Sequence, residues 1–405
     1  MDPVIAIFVL VYVGMVLGGV PGLRIDRTGV ALLGAIALVA TGELRLAAAW
    51  RAADVPTLAL LVGLMVLSAQ LRLGGFYTAV TFWLARRGGR PESLLLQVVL
   101  AAGGLSALLV NDIICLAMAP VLIDICQRRR LDPVPFLLAL MAASNIGSAA
   151  TLIGNPQNML IGQRLGMSFG GYLLTALPPV ILSLLSTWGM LCLVYRRRFV
   201  RDLQPAPAAE RAFDGWQTGK GLLALVALVI AFLATSWPRE VVTLAVAGLL
   251  LCSRRLASHE MLGLVDWQLC LLFFGLFVVN HALAESGHLT AGLDWLRAVG
   301  VEPSAPVTLF GLSVVGSNIV SNVPSVMLLL PIATHPDAGA VLALSSTFAG
   351  NLFLVGSIAN LIVVEQARRL GVAPIGRSWV AEHLRVGIPI TLVSLALAGL
   401  WLAVV

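Results

Sequence analysis

The chain has 405 residues, of which 59% are hydrophobic and only 11% charged, with a mean hydropathy of +0.96. Soluble domains carry about 25% charged residues, so a water-soluble fold is excluded and the chain reads as an integral membrane protein. Its net charge of +6 comes almost wholly from arginine in short loops, which suits anionic lipid and membrane topology and speaks against a nucleic-acid partner.

At roughly 20 apolar residues per crossing, the length allows about ten to twelve membrane segments. The first stretch, MDPVIAIFVLVYVGMVLGGV, lacks a basic n-region and is long enough to span, so a retained anchor is expected. Apolar runs punctuated by arginine predict spans near 3–22, 29–49, 55–72, 134–163, 171–195, 221–236, 240–252, 267–284, 338–364 and 386–404. Two further stretches, about 91–127 and 304–334, are too long for one span and carry polar residues at mid-length.

The first of these is flanked by Arg86, Arg87 and Arg90 and by Arg128, Arg129 and Arg130. Positive charge on both flanks predicts that both ends face the cytoplasm, which is a re-entrant hairpin with its tip near Asn111. The second runs from Glu302 to His335 and Asp337 without flanking arginine, as a hairpin entering from the opposite side. Ten spans and two opposed hairpins put both termini outside and leave only Arg45, Arg51, Arg164, Arg239 and Arg297 of the 26 Lys+Arg there. The basic segment 196–220 reads as a cytoplasmic linker between two halves. Five cysteines, Cys115, Cys126, Cys192, Cys252 and Cys270, show no paired spacing, so no disulfide framework is expected.

Three blocks recur in one order. DVPTLALLVGLMVL from Asp54 resembles DWQLCLLFFGLFVV from Asp266, pairing Gly63 with Gly275 and, further on, Gly75 with Gly287. VNDIICLAMAP from Val110 resembles SNVPSVMLLLP from Ser321. SNIGSAATLIGNPQNMLI from Ser144 resembles STFAGNLFLVGSIANLIV from Ser346. The offsets are 212, 211 and 202 residues. With the copies entering from opposite sides, this is an inverted repeat, an architecture of secondary transporters that bind at the midplane between copies.

The polar residues fall at matching places in the repeat. Pro156 removes a backbone donor and Gly154–Asn155 precedes it as a turn would, so the span carrying Asn145, Ser148, Thr151 and Asn158 is expected to break there. Gly350, Asn351, Gly356, Ser357 and Asn360 mark the second copy. A break in hydrocarbon survives where it lines a cavity; the alternative is helix packing through small residues with asparagine as glue. The hairpin tips carry Asn111–Asp112 and Ser321–Asn322, residues that favour helix N-caps. A half-helix N-terminus at the midplane also suits an anion or polar solute.

Asp112 is the single acidic residue expected at mid-depth. An insertion cost of ~2.5–3.5 kcal/mol makes it a candidate for binding a coupling cation or carrying a proton, as well as a plain cap. Na⁺ could be held by carbonyls and side chains at Asn111, Asp112, Gly154, Asn322 and Gly356. Asn280–His281 are a weaker candidate pair, and Cys115 reads as buried packing. The SHEMLG segment lacks the second histidine of a zinc helix, and no GxSxG, Walker A or dinucleotide fingerprint occurs. ATP could therefore be used only through a separate ATPase subunit. An intramembrane enzyme has no visible nucleophile–base pair; a channel is the other alternative to a carrier.

At VNDIICLAMAPVLI, SNIGSAATLIGNPQN, GSNIVSNVPSVMLLLPI and AGNLFLVGSIAN, over roughly 50–371, the chain resembles the ion transporter superfamily. This includes divalent anion/sodium symporters, citrate transporters, arsenite efflux permeases and a class of sodium/proton antiporters. The resemblance implies an all-α, elevator-type transporter, with a transport domain moving against a scaffold, and a homodimer. It divides the chain into scaffold helices (1–53), repeat 1 (54–165), further scaffold helices with the linker (166–265), repeat 2 (266–371) and a C-terminal helix (372–405).

The symporters carry Ser-Asn-Thr at each tip; here the tips are Val110-Asn111-Asp112 and Ser321-Asn322-Val323, closer to the arsenite permeases. The expectation is an ion-coupled (H⁺ or Na⁺) transporter of a small anion or oxyanion in a bacterial-type inner membrane. No cofactor beyond the coupling ion is expected. The alternatives are a di/tricarboxylate or sulfate symporter and a Na⁺/H⁺ antiporter. Asn111, Asp112, Asn145, Ser148, Thr151, Gly154, Asn155, Asn158, Ser321, Asn322, Gly350, Asn351, Gly356 and Asn360 would line its site.

Overall fold

In hydrocarbon every backbone polar group must find a partner within the protein, which for a single segment means a helix. The computed structural model follows that rule. It describes residues 2–20, 22–86, 90–196, 199, 213–298 and 300–405. Arg87 of the first hairpin flank and the middle of the expected linker (197–198, 200–212) lie outside the described residues.

Among the described residues the chain is all α-helical. The first ten helices are α1 (Pro3–Leu17), α2 (Arg27–Ala40), α3 (Leu46–Ala52), α4 (Val55–Leu73), α5 (Phe76–Arg86), α6 (Pro91–Leu108), α7 (Asn111–Arg128), α8 (Pro133–Ser148), α9 (Pro156–Arg164) and α10 (Phe169–Tyr195). The next ten are α11 (Gly215–Ala234), α12 (Arg239–Leu251), α13 (Ser258–Leu262), α14 (Trp267–Glu285), α15 (His288–Ala298), α16 (Pro306–Val320), α17 (Asn322–Leu329), α18 (Ala338–Ala349), α19 (Ile358–Arg369) and α20 (Trp379–Leu402). Six of these, α4, α6, α10, α11, α14 and α20, are at least 18 residues long and apolar enough to cross a membrane.

The same order of elements occurs twice, α1–α10 and then α11–α20, down to local geometry. Asp54 caps α4 by accepting from the Thr57 amide at 2.9 Å, and Asp266 caps α14 by accepting from the Leu269 amide at 3.0 Å. Their backbones agree within a degree, at φ −79° and ψ 83° against φ −79° and ψ 82°. Both helices end on a left-handed glycine, Gly75 (φ 78°) and Gly287 (φ 77°), a conformation that glycine adopts without steric cost.

Packing between the halves is also reciprocal. α4 lies on α12, and α14 lies on α2. Gly63 makes the first approach possible: a Cβ there would stand 2.5 Å from Thr243 Cγ2 and 3.1 Å from its backbone. Gly275 does the same for the second, where a Cβ would stand 2.7 Å from the Ala31 carbonyl carbon. Small residues let membrane helices close to backbone contact, where dispersion replaces the missing hydrophobic drive.

The centre of the molecule holds α8 and α18, each buried along its whole length. α6, α7, α10 and α19 pack around α8, while α16, α17, α20 and α9 pack around α18. Each of the two central helices is followed directly by an interruption of the helix, 149–155 after α8 and 350–357 after α18.

Several sequence expectations change in detail. The run 29–49 is one helix only to Ala40. It turns at Thr41–Gly42, with Gly42 at φ 79°, and restarts as α3. The last helix begins at Trp379 and not near 386, because its first turns hold Glu382, His383 and Arg385, which hydropathy scores against membrane insertion. The helices α5, α13 and α15 were not anticipated from apolar length. Their sequences are short and mixed, as in FYTAVTFWLAR for α5.

Candidate functional site

Each half supplies a helical hairpin and an interrupted helix. α6 passes into α7 through Leu109–Val110, and α16 into α17 through Ser321 alone, at φ 80° and ψ 161°. That region of backbone space is essentially reserved for glycine and costs about 1–3 kcal/mol for a residue with a Cβ. α8 ends at Ser148 and α9 restarts at Pro156; α18 ends at Ala349 and α19 restarts at Ile358. Both expected breaks are present. In the first, Asn155 caps α9 by accepting from the Asn158 amide at 2.8 Å, and proline follows at a position where no donor is missed.

The capping expected of the hairpin tips is not what forms. Val110 is the N-cap of α7 and Ser321 that of α17, and neither side chain makes a cap bond. Asn111, Asp112 and Asn322 lie inside the first turn instead. An asparagine there is free to turn its amide across to another helix, and Asn111 does so, donating through Nδ2 to Oδ1 of Asn145 at 3.1 Å.

Asn145 is the hub. Its Oδ1 accepts from Asn111 and, at 2.9 Å, from the Ser357 hydroxyl. Its Nδ2 donates to Oδ1 of Asn351 at 2.8 Å and to Oδ1 of Asn360 at 3.1 Å. All four hydrogen-bonding positions of one buried amide are thus filled, three of them from the second half of the chain. The complementary arrangement surrounds Thr347, which lies 202 residues after Asn145. Thr347 Oγ1 accepts from Asn155 (3.2 Å) and Gln157 (3.3 Å) and donates to Asn158 Oδ1 (3.4 Å).

The same residues satisfy the carbonyls freed by the breaks. Asn158 Nδ2 donates to the carbonyl oxygens of Ser148 (3.5 Å) and Thr151 (3.0 Å), and Asn360 Nδ2 to that of Gly350 (3.1 Å). The Ser148 hydroxyl accepts from Asn155 Nδ2 at 2.9 Å, and Thr151 Oγ1 donates to the Ala107 carbonyl of α6. The Gly154 carbonyl accepts from the Asn111 amide at 3.2 Å, tying the first tip to the first break. A Cβ at Gly154 would fall 2.3 Å from the Ser148 oxygen and 2.6 Å from that of Ser106. One at Gly350 would fall 3.0 Å from Asn322 Nδ2, so the second tip also reaches the second break.

In front of this network lies a cavity of about 40 Å³, room for about three waters or a solute of a few heavy atoms. Asn111 and Asp112 of the first tip and Ser321, Asn322 and Val323 of the second line it, joined by Pro156 and Gln157 of one break and Gly356, Ser357 and Ile358 of the other. All fourteen candidate residues therefore belong to one cluster, either in the cavity wall or in the hydrogen bonds behind it. Asp112, half-buried, is the one charged side chain in the wall. Asn111 Oδ1 and Asn322 Oδ1, buried and equivalent in the repeat, have no hydrogen-bond partner.

Other candidates lie apart. Asn280 and His281 line a different cavity of about 330 Å³ between α9, α14 and α17; Asn280 accepts from Tyr12 (2.9 Å) and His281 pairs with Glu285 (3.2 Å). The Cys115 thiol is fully buried against Ser144 Oγ at 3.0 Å and does not reach the first cavity. Sequence reasoning missed Thr347, whose signal was the 202-residue offset from Asn145, and the buried pair Glu382 and His383, which had been set outside the last span.

Residues 8–349 match the family described as citrate transporter (CitMHS). The chain belongs to that family. It is thereby a member of the ion transporter superfamily, a group of membrane transporters and not of enzymes. It is 34% identical to a 46 kDa membrane protein of Mycobacterium leprae, over 85% of this chain and 84% of that one. It is 28% identical to the silicon efflux transporter LSI3 of Oryza sativa subsp. japonica, over 93% of this chain and 92% of the other. In fold it is similar to the crystal structure of the YdaH transporter of Alcanivorax borkumensis. The TM-score is 0.56 at 15% identity, covering 99% of this chain and 98% of that one.

Proposed function

We propose that this CitMHS-family protein is an ion-coupled secondary transporter of a small hydroxylated inorganic solute, an oxyanion or its neutral acid, bound in the cavity between the two hairpin tips. One observation carries this reading: a cavity walled by both tips and both breaks has Asp112 as its single charge and no cationic side chain among its lining residues. A dianion placed there would meet a carboxylate and no counter-charge, at about 4 kcal/mol per 4 Å contact near a protein surface. A neutral hydroxide such as arsenous or silicic acid meets amide, hydroxyl and carboxylate groups that can each bond to it. The rice relative, named for silicon efflux, supports the same class.

Asp112 is the group we assign to coupling, exchanging a proton as the solute enters or leaves. Ten spans, two opposed re-entrant hairpins, both termini outside and an elevator movement complete the reading. It also takes the tips, broken helices and their neighbours as the moving part, in a homodimer in a bacterial-type inner membrane. The charge distribution supports the orientation, and the resemblance supports the movement and the dimer.

A Na⁺-coupled anion symporter is the second reading, favoured by the two equivalent amide oxygens, Asn111 Oδ1 and Asn322 Oδ1, that lack partners. Amide and carbonyl oxygens are suited to a hard cation. A flux panel in proteoliposomes decides between them, using arsenite, silicic acid, sulfate, succinate and citrate under separate Na⁺ and H⁺ gradients. The first reading expects arsenite or silicic acid flux driven by the H⁺ gradient. Sodium-driven citrate or succinate flux without it would overturn that reading.

A further inference from the structure

The carbonyls that open each break are held from the side by the second helix that follows it in the chain. Ala149 is the C-cap of α8, and Asn351 follows the C-cap of α18 at the equivalent position, 202 residues on. The Tyr172 hydroxyl, in the first turn of α10, donates to the Ala149 carbonyl at 2.6 Å, and Asn158 Nδ2 lies 3.3 Å from the same hydroxyl. His383, in the second turn of α20, donates through Nε2 to the Asn351 carbonyl at 3.0 Å. Both side chains are 3% exposed. The two halves thus use the same device with different chemistry, a phenol in one and an imidazole in the other.

The contact of α20 with the break is close and specific. A Cβ at Gly387, one turn beyond His383, would stand 2.5 Å from the Asn351 oxygen and 3.0 Å from His383 Nε2. Only a residue without a side chain there lets the imidazole reach. Glu382, adjacent in sequence, is turned away to Tyr195, Arg377 and Arg385, so His383 is not part of that ionic cluster. Its Nδ1 is buried without a partner, leaving the bond to Asn351 as its one polar commitment.

Asn351 in turn presents Oδ1 to Asn145 at 2.8 Å and Nδ2 to the Ala142 carbonyl at 3.3 Å. We infer that His383 is a positioning residue for the second half of the site, as Tyr172 is for the first, fixing the break from which Asn351 meets Asn145. A lost donor at 383 leaves the Asn351 carbonyl buried and unpaired, and the break then shifts to find another partner. The inference rests on the reading of this cavity as the transport site, but its structural half can be measured without any substrate.

Hydrogen exchange of the purified full chain, read over 149–155 and 350–357, is the test. His383→Leu should speed exchange in 350–357 about tenfold, as expected for one lost hydrogen bond, and leave 149–155 unchanged. His383→Gln, which keeps an N–H donor of similar reach, should return 350–357 to near the native rate. Tyr172→Phe should speed 149–155 alone. If His383→Leu does not fold, His383→Asn, too short to reach the carbonyl, takes its place. Uniform acceleration across both segments, or no recovery with glutamine, overturns the proposal. In proteoliposomes carrying arsenite or silicic acid, His383→Leu should raise KM severalfold with little change in maximal rate, and glutamine should restore it. Absence of flux with both solutes in the native protein would count against the transport reading and leave the exchange result standing.

Discussion

Asn145 and Asn360, 215 residues apart, are joined by a hydrogen bond of 3.1 Å from one side-chain amide to the other. The bond has a counterpart in which Thr347 donates to Asn158 at 3.4 Å. The half-helix of each repeat therefore ends against the restart of the other. Each half depends on the other for polar satisfaction, so neither break could be buried by a single copy of the repeat.

That dependence makes Asn145 costly to remove. Asn145→Leu deletes four hydrogen bonds and leaves buried groups of Asn111, Asn351, Ser357 and Asn360 short of a partner. At about 1–3 kcal/mol per orphaned group, the variant should lose at least about 4 kcal/mol. Thermal unfolding of the detergent-solubilised protein should show the loss as a clear drop in Tm, accompanied by loss of flux. A melting curve that overlays the native one would contradict the hub role.

Asp112 should behave differently. No cap bond depends on it, so Asp112→Asn should melt close to the native protein while flux driven by the H⁺ gradient falls by roughly 100-fold, a barrier change of about 2.7 kcal/mol. Solute exchange at equal pH on both sides should survive better than net flux. Native-level gradient-driven flux in this variant would remove Asp112 from the coupling scheme.

The reciprocal glycine contacts separate packing from transport. Gly275→Ala forces a methyl toward the Ala31 backbone, which cannot rotate away, and should destabilise by about 1–3 kcal/mol. Gly248→Ala on α12 meets nothing within 4 Å, and a helix-interior Gly→Ala there should stabilise by about 0.5–1 kcal/mol. Paired melting curves of the two variants test this; equal effects would show that the α2–α14 contact is looser than described.

Glu382 is buried against the Tyr195 hydroxyl, with Arg377 at 3.2 Å and Arg385 at 3.4 Å. Both arginines are a third or more exposed, so their ion pairs are screened and count for less than the burial suggests. Glu382→Ala should cost about 1–3 kcal/mol, more than Arg377→Ala, which leaves the carboxylate two partners. The reverse order in chemical or thermal unfolding would mean that the carboxylate is already neutralised by other means.

Much of the fold was legible because the bilayer imposes it. Pro156 after Gly154–Asn155 marked the first break, and the matching block 202 residues on marked the second even without a proline. What hydropathy hid was polar structure inside helices. The first turns of α20 scored as loop because Glu382, His383 and Arg385 are polar in isolation, and only their partners make them fit a buried helix. The tips were misread as caps for a related reason: local propensity gave Asn and Asp the N-cap position, while tertiary contact with Asn145 made the first helical turn the better place for Asn111.

The sequence by itself determined the solvent, the helical class, the repeat and the set of polar residues that matter, since in hydrocarbon each polar group must have a reason to be there. The tertiary structure decided which of those residues meet. Hydrogen-bond partners such as Asn145 and Asn360, or His383 and the Asn351 carbonyl, are chosen by how helices from the two halves approach, to within tenths of an ångström. Periodicity along a chain carries no information about distances between segments some 200 residues apart.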